Sequence, residues 1–226
     1  MKRVLIACEE SQAVTTEFRK LGIEAFSCDL LPCSGNHPEW HFQEDLFEVV
    51  KREPKFDLII SFPPCTDLAL SGARWFIDKR ANGTQEKSIR FFFEVWKISN
   101  CSENPMGIMN GGKYIKEWFP ELYKEMLDYG FPFKPSQIIQ PYYFGDPSRK
   151  TTCLWLKDLP RLTHNKENYV EPELYTCKNG KTFSKDYMVA LKANEKRGHL
   201  RSKTYPGIAK NMAEQWSKFL KDGKEI

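Results

Sequence analysis

The sequence predicts an α/β fold built on a doubly wound, mostly parallel sheet with an antiparallel edge. Short apolar runs alternate with amphipathic stretches over residues 1–105, and these runs end on polar or acidic residues. Such alternation favours a parallel sheet with helices on both faces. Two later apolar runs, at 137–140 and 152–156, are typical of the antiparallel edge that many doubly wound sheets carry.

Apolar spacing predicts each element in turn. Buried strands are predicted at 4–7, 24–29 and 56–62, followed by a short strand that leads into residues 103–105. Helices are predicted at 11–21, 46–51, 85–98, 118–129 and 206–220, where apolar residues recur three or four positions apart. Gly22 and Gly130 end two of these helices. Asn179-Gly180 predicts a hairpin turn in an otherwise irregular segment.

Composition limits the classes of function. The chain of 226 residues is long enough for one sizeable core. It contains no apolar run of about 18 residues, so we expect no membrane span and a cytoplasmic location. Its seven cysteines are scattered without a Cys-x-x-Cys pair, which argues against a disulfide framework and a structural zinc site. We therefore assign no metal ligands.

The formal net charge of +4 permits nucleic-acid binding without requiring it. The basic excess lies toward the C-terminal end, at Lys192, Lys196, Arg197, Arg201 and Lys203. This cluster is either a solvated surface segment or a strip that contacts phosphates.

Cys65 is the candidate nucleophile. Ligands bind beyond the carboxyl ends of the strands in open α/β sheets, and Cys65 follows the clearest predicted strand. Pro63 and Pro64 end that strand and fix two backbone dihedral angles, so they hold the cysteine in a rigid loop at the sheet edge. A pre-positioned, partly exposed thiol is what nucleophilic catalysis needs. The alternative is a proline turn with an incidental cysteine.

A carboxyl group is predicted beside this thiol. Glu103-Asn104-Pro105 ends the next strand, so it should lie next to the Cys65 loop, and Pro105 again restricts the backbone. A carboxyl there could donate a hydrogen bond to a ring nitrogen, although Asn104 could instead simply cap a turn. A thiol beside an acid suits covalent attack on an electron-poor ring.

Two further groups complete the candidate site. Asp29 ends the second strand and Asp45 directly precedes the predicted helix at 46–51, and acids at this edge of the sheet can bind ribose hydroxyls and an adenine amino group. Either could instead cap a local turn. The turn at 145–150 carries Arg149 and Lys150, which could contact a phosphate or a base carbonyl, or could face solvent.

Taken in their order along the chain, these motifs resemble those of the cytosine-5 DNA methyltransferases. They look closest to the short phage- and prophage-type members of that family. The most specific matches are Phe62-Pro63-Pro64-Cys65-Thr66 and Glu103-Asn104-Pro105-Met106-Gly107, supported by Tyr143-Phe144-Gly145-Asp146-Pro147 and Thr204-Tyr205-Pro206-Gly207-Ile208-Ala209. The resemblance covers residues 3–157 and, more loosely, 203–217. It implies a Rossmann-like fold of the S-adenosylmethionine-dependent methyltransferase type.

The resemblance also implies roles for individual residues. S-adenosylmethionine would be the methyl donor, and the substrate would be a cytosine flipped out of double-stranded DNA. Cys65 would attack carbon 6, Glu103 would hold nitrogen 3, and Arg149 would stabilise the flipped base or its phosphate. The implied donor-binding residues are Ala7, Cys8, Glu9, Asp29, Leu30, Asp45 and Pro63, and the implied substrate-binding residues are Pro64, Asn104, Pro105, Ser148 and Lys150.

The resemblance divides the chain into a catalytic domain (1–159), a small irregular recognition segment (160–203) and a C-terminal helix packed back on the catalytic domain (204–226). The recognition segment is short, so an accessory protein could supply sequence specificity. The first loop, residues 7–11, lacks the glycines that the family has there. Two alternatives therefore stay open: an enzyme that modifies pyrimidine nucleotides on the same fold, and a non-catalytic methyltransferase fold that binds DNA, a nucleotide or a protein.

Overall fold

The computed structural model describes residues 2–105, 107–185 and 202–221. The described residues form a seven-stranded sheet in the order β3-β2-β1-β4-β5-β7-β6. Strands β1 to β5 are parallel, and β7 runs antiparallel to both of its neighbours. The strands are β1 (Arg3–Ala7), β2 (Glu24–Cys28), β3 (His41–Phe42), β4 (Leu58–Ser61), β5 (Cys101–Pro105), β6 (Gln137–Ile139) and β7 (Thr152–Leu156).

Helices cover both faces of this sheet. They are α1 (Ala13–Lys20), α2 (Leu46–Arg52), α3 (Phe76–Ala81), α4 (Thr84–Ile98), α5 (Lys113–Trp118), α6 (Pro120–Asp128) and α7 (Pro206–Lys221). Because side chains alternate across a strand, Val4 and Ile6 of β1 lie in the core with α1 and α7, where Trp216 is fully buried. Leu5 lies in the opposite core with Val95 of α4. Both faces of β1 are therefore buried.

A third core cluster lies beneath the antiparallel edge. The Trp155 ring of β7 is fully buried and lies 5.4 Å from the Phe92 ring, measured between centroids. Its indole nitrogen donates to the Pro132 carbonyl oxygen at 2.6 Å. Because the one polar atom of this ring is hydrogen-bonded, burying it costs little. The aromatic packing fixes β7 against α4, and therefore fixes the register of β7 against β5.

The predicted fold class is confirmed: the protein is α/β, with a Rossmann-like, doubly wound, mostly parallel sheet and an antiparallel edge. The predicted helix at 118–129 is wrong in one respect. Trp118 ends α5, and a separate helix α6 begins at Pro120. Proline has no N–H to donate and its fixed φ suits the first helical position, so it starts a helix and does not continue one. The short elements β3, α3 and α5 were not predicted.

A hairpin stands apart from the main sheet. Strands β8 (Leu174–Thr176) and β9 (Thr182–Ser184) pair antiparallel, and the turn between them contains Asn179 and Gly180, as predicted. Gly180 has φ 77°, in the left-handed region that favours glycine. Of the basic cluster noted above, Lys192, Lys196, Arg197 and Arg201 lie outside the described residues.

Candidate active site

Cys65 lies in the loop that leaves the carboxyl end of β4. The Phe62 amide donates to the Ala7 carbonyl oxygen at 2.9 Å, so the chain stays beside β1 until the prolines turn it away. Pro63 is buried and Pro64 is exposed. Cys65 is partly exposed, and its carbonyl oxygen accepts from the amides of both Leu68 and Ala69, at 3.0 and 2.9 Å. The cysteine therefore opens a tight turn at the edge of the sheet.

Glu103 lies on the neighbouring strand at the same edge. Strand β5 is parallel to β4, with Ser61 opposite Ser102, so Glu103 is one residue beyond the last β4 pair. Asn104 and Pro105 continue β5 and pair through their backbone with β7. Glu103 is buried, and burial raises the pKa of its carboxyl, while the charge of Lys150 acts in the opposite direction. The raised pKa favours a protonated carboxyl that can donate a hydrogen bond.

The turn at 145–150 sends its two cations in different directions. The Arg149 guanidinium donates to Thr182 Oγ1 of β9 at 3.1 Å, and the Arg149 amide donates to Ser184 Oγ at 2.7 Å. Arg149 thus ties the turn to the β8–β9 hairpin. Lys150 is the cation of this turn whose charge acts on Glu103, and its Nζ lies 5.8 Å from the centre of the Tyr205 ring.

The start of α7 holds this turn in place. Ser148 is buried, and its Oγ lies 2.9 Å from the Tyr205 hydroxyl. The Gly207 amide donates to Asp146 Oδ2 at 2.8 Å. A Cβ on Gly207 would stand 2.1 Å from the Phe144 carbonyl oxygen, so a residue with a side chain cannot occupy this position without moving the backbone. Tyr205 was not predicted as a site residue, although it lies in one of the motifs that carry the resemblance.

A second group of side chains lies around Cys8, where β1 ends. Burial raises the pKa of the Cys8 thiol far above its usual range, and the charges of Asp29 and Asp45 raise it further. The structure therefore brings these three predicted donor-binding residues together. Asp29 Oδ1 accepts from the Leu31 amide at 2.9 Å, and Asp45 Oδ1 caps α2 by accepting from the Phe47 amide at 2.8 Å. Both acids therefore make local hydrogen bonds of the kind predicted as the alternative to ligand binding. Each does so through one carboxylate oxygen, and its second oxygen takes no part in these bonds.

The first loop reaches its tight geometry without glycine. Cys8 has φ 58° and Gln12 has φ 56°, both in the left-handed region. The buried carboxylate of Glu9 caps α1, accepting from the amides of Val14 at 2.7 Å and Thr15 at 3.2 Å and from the Thr15 hydroxyl at 2.7 Å. Burial raises the pKa of Glu9 to about 7, while these hydrogen bonds lower it.

The loop after β2 packs over this first loop. The Ser34 amide donates to the Glu10 carbonyl oxygen at 2.7 Å. The Gln12 amide group donates to the His37 carbonyl oxygen at 2.7 Å and accepts from the His37 amide at 3.1 Å. A Cβ on Gly35 would stand 2.5 Å from Gln12 Cβ, so the two loops are in close contact. Leu30, predicted to bind the donor, lies at the start of this loop and is 72% exposed.

The chemistry of this group fits S-adenosylmethionine better than a phosphate-bearing cofactor. S-adenosylmethionine carries a sulfonium and an ammonium against one carboxylate, and the negative charges of Asp29 and Asp45 act on Cys8 at the end of β1. Phosphates usually bind at the N-terminus of the first helix of such sheets. Here the side chain of Glu9 already takes the amides of Val14 and Thr15.

Other site types have weaker support in the described part of the chain. Residues 2–105, 107–185 and 202–221 contain no group of three or more His, Cys, Asp or Glu side chains that could hold a metal ion. None of the seven cysteines takes part in a disulfide bond. Within the same residues, no helix is long and apolar enough to cross a membrane.

Comparison with known proteins finds similarity among solved structures. No family model matches the chain, and no curated protein matches it. Among solved structures, the chain is similar to a prophage-encoded E. coli protein described as a DNA modification methyltransferase, with a TM-score of 0.44 and 13% sequence identity. The match covers 68% of this chain and 45% of that one, so the chain spans less than half of that protein.

Proposed function

We propose that the protein transfers a methyl group from S-adenosylmethionine to carbon 5 of cytosine in double-stranded DNA, with Cys65 as the nucleophile. One observation carries the proposal. The loop of Cys65 and the buried carboxyl of Glu103 leave neighbouring parallel strands at the same edge of the sheet. A thiol and a buried carboxyl whose pKa is raised suit addition to a pyrimidine ring when they lie at one sheet edge, because the acid can neutralise the charge that the nucleophile creates.

The residues divide the work as follows. The Cys65 thiolate forms a bond to carbon 6 of the cytosine, and Glu103 donates a hydrogen bond to nitrogen 3, where the displaced electrons accumulate. The addition makes carbon 5 electron-rich. Carbon 5 would then take the electrophilic methyl group that S-adenosylmethionine supplies when bound, with the neutral thioether as the leaving group. Loss of the carbon-5 proton to a base then returns the electrons to the ring and expels Cys65 as the thiolate.

Two groups of side chains would orient the reactants. Asp29 and Asp45 would hold the donor beside Cys8, at the end of β1, which is hydrogen-bonded to β4. Lys150, whose charge acts on Glu103, would bind the phosphate of the flipped nucleotide or its carbonyl oxygen. Arg149 would contribute indirectly, by holding the β8–β9 hairpin against the turn at 145–150. The donor would thus face the base across the β1–β4 edge.

The test measures label transfer from S-adenosylmethionine to duplex DNA. We expect the wild-type protein to label DNA at cytosine carbon 5, and Cys65→Ala to lose the label. Cys177→Ala is the matched control, because Cys177 is partly exposed, as Cys65 is, but lies in the hairpin turn. Label on deoxycytidine nucleotides but not on DNA would support the nucleotide-modifying enzyme instead. DNA binding by the wild-type protein without any turnover would support a non-catalytic protein.

A further inference from the structure

The turn that follows Cys65 is fastened to two helices. The carboxylate of Asp67 forms an ion pair with Lys79 of α3, with Oδ1 and Nζ 3.0 Å apart, and its Oδ2 accepts from the Ser88 hydroxyl of α4 at 2.9 Å. Lys79 also donates to the Thr66 carbonyl oxygen at 2.6 Å. We call Asp67, Lys79 and Ser88 the loop clamp. It holds the two residues directly after Cys65.

The loop clamp is partly shielded from solvent. The Lys79 and Asp67 side chains are 17% and 24% exposed, so their ion pair is less screened than a pair on the open surface. Leu68, next in the chain, is fully buried and packs with Phe76 of α3. The carboxylate and the apolar anchor thus fix the same turn from two sides.

A buried amide points to the same segment. Gln85 of α4 is fully buried, and its Nε2 donates to the Asp67 carbonyl oxygen at 3.1 Å. Its Oε1 has no hydrogen-bond partner among the described residues. An unpartnered buried acceptor costs free energy that a leucine would avoid. The amide is therefore best explained by its bond to the Asp67 backbone.

We propose that Asp67 is a positioning residue: its contacts with Lys79 and Ser88 hold the turn of Cys65 at the sheet edge beside Glu103 before any substrate binds. The proposal rests on the proposed function only for its catalytic consequence. Asp67 does not need to touch the substrate. It acts through the backbone of residues 65–69, whose turn is closed by the amides of Leu68 and Ala69. Errors of about 1 Å in the position of a reacting group can reduce a rate by about a hundredfold.

The test compares Asp67→Asn and Ser88→Ala with wild type. Asp67→Asn keeps the size of the side chain but removes the charge that pairs with Lys79, and Ser88→Ala removes one hydrogen bond. Lys87→Met is the control, because Lys87 is an exposed cation of α4 next to Ser88 in sequence. The first readout is hydrogen exchange at the Leu68 and Ala69 amides, with amides of α7 as the internal reference. We expect exchange about tenfold faster at these two amides in both variants and unchanged exchange in α7.

The second readout is the single-turnover rate of methyl transfer, measured with the dissociation constants of donor and DNA. We expect Asp67→Asn to lower the rate roughly ten- to a hundredfold, with both constants within about twofold of wild type. Unchanged exchange at Leu68 and Ala69 would overturn the loop clamp. Faster exchange with an unchanged transfer rate would overturn the positioning role. A wild-type protein that transfers no methyl group would remove the proposed function, while faster exchange would still support the clamp.

Discussion

The carboxyl of Glu9 should make the stability of the protein fall as the pH rises towards neutrality. Glu9 is 4% exposed, and burial raises its pKa from 4.5 to about 7. The folded state therefore keeps a proton that the unfolded state has lost between these two values. Stabilisation from this group is fully present below pH 4.5 and is lost as the pH rises through about 7.

The size of the effect follows from the shift. Each pKa unit corresponds to about 1.4 kcal/mol, so the change from 4.5 to about 7 amounts to about 3 kcal/mol. Glu9→Gln removes the titration but also places an amide N–H against the donors of Thr15, so it lowers stability by a pH-independent amount as well. The informative quantity is therefore the change with pH in the stability difference between the two proteins.

The assay is urea unfolding of wild type and Glu9→Gln at several values from pH 4.5 to about pH 8. We expect the free energy of unfolding of wild type to fall by about 3 kcal/mol relative to the variant over this range. Glu17→Gln makes the same chemical change on α1 at a partly exposed position and serves as the control. If the curves for wild type and Glu9→Gln run parallel, the assignment of a buried, proton-binding Glu9 is wrong.

Three further outcomes are expected. Gly207→Ala should lower the free energy of unfolding by about 1–3 kcal/mol, because its Cβ would stand 2.1 Å from the Phe144 carbonyl oxygen, and thermal melting measures this loss. Glu103→Gln should lower the single-turnover rate of methyl transfer roughly a hundred- to ten-thousandfold, while circular dichroism shows an unchanged fold. Lys150→Met should raise the pKa of Glu103 further, because the charge of Lys150 lowers it, so the alkaline limb of the pH–rate profile should move to higher pH. A limb that stays in place or moves to lower pH would contradict the electrostatic effect of Lys150 on Glu103.

The parallel part of the fold could be predicted from the sequence because each element carries a local signal. The apolar run at β1 and the alternation of Val4 and Ile6 with Leu5 show burial on both faces without any information about neighbours. Shorter elements contain too few residues for a hydrophobic periodicity to be recognised. Strand β3 has two residues, and α5 ends where Pro120 starts the next helix. Their existence depends on the elements that they contact.

The candidate site was predictable only in part, for a related reason. The position of Cys65 and Glu103 at one edge follows from the order of strands, which the sequence indicates. The direction of each cation in the turn at 145–150 depends on contacts with distant residues. Arg149 is held by Thr182 and Ser184 of β9, and Lys150 lies near Tyr205. These partners are distant in sequence, so the residues next to the two cations could not indicate that they play different roles.

The central claim is that the thiol of Cys65 adds to cytosine, and a trapped adduct tests it most directly. Duplex DNA with fluorine at carbon 5 of cytosine lacks the proton that must leave before Cys65 is expelled, so the covalent product should persist. We expect mass spectrometry of the digested complex to find the base attached to Cys65 only when S-adenosylmethionine is present, and to find no adduct with Cys65→Ala. Methylation of DNA by Cys65→Ala, or an adduct on another residue, would contradict the account.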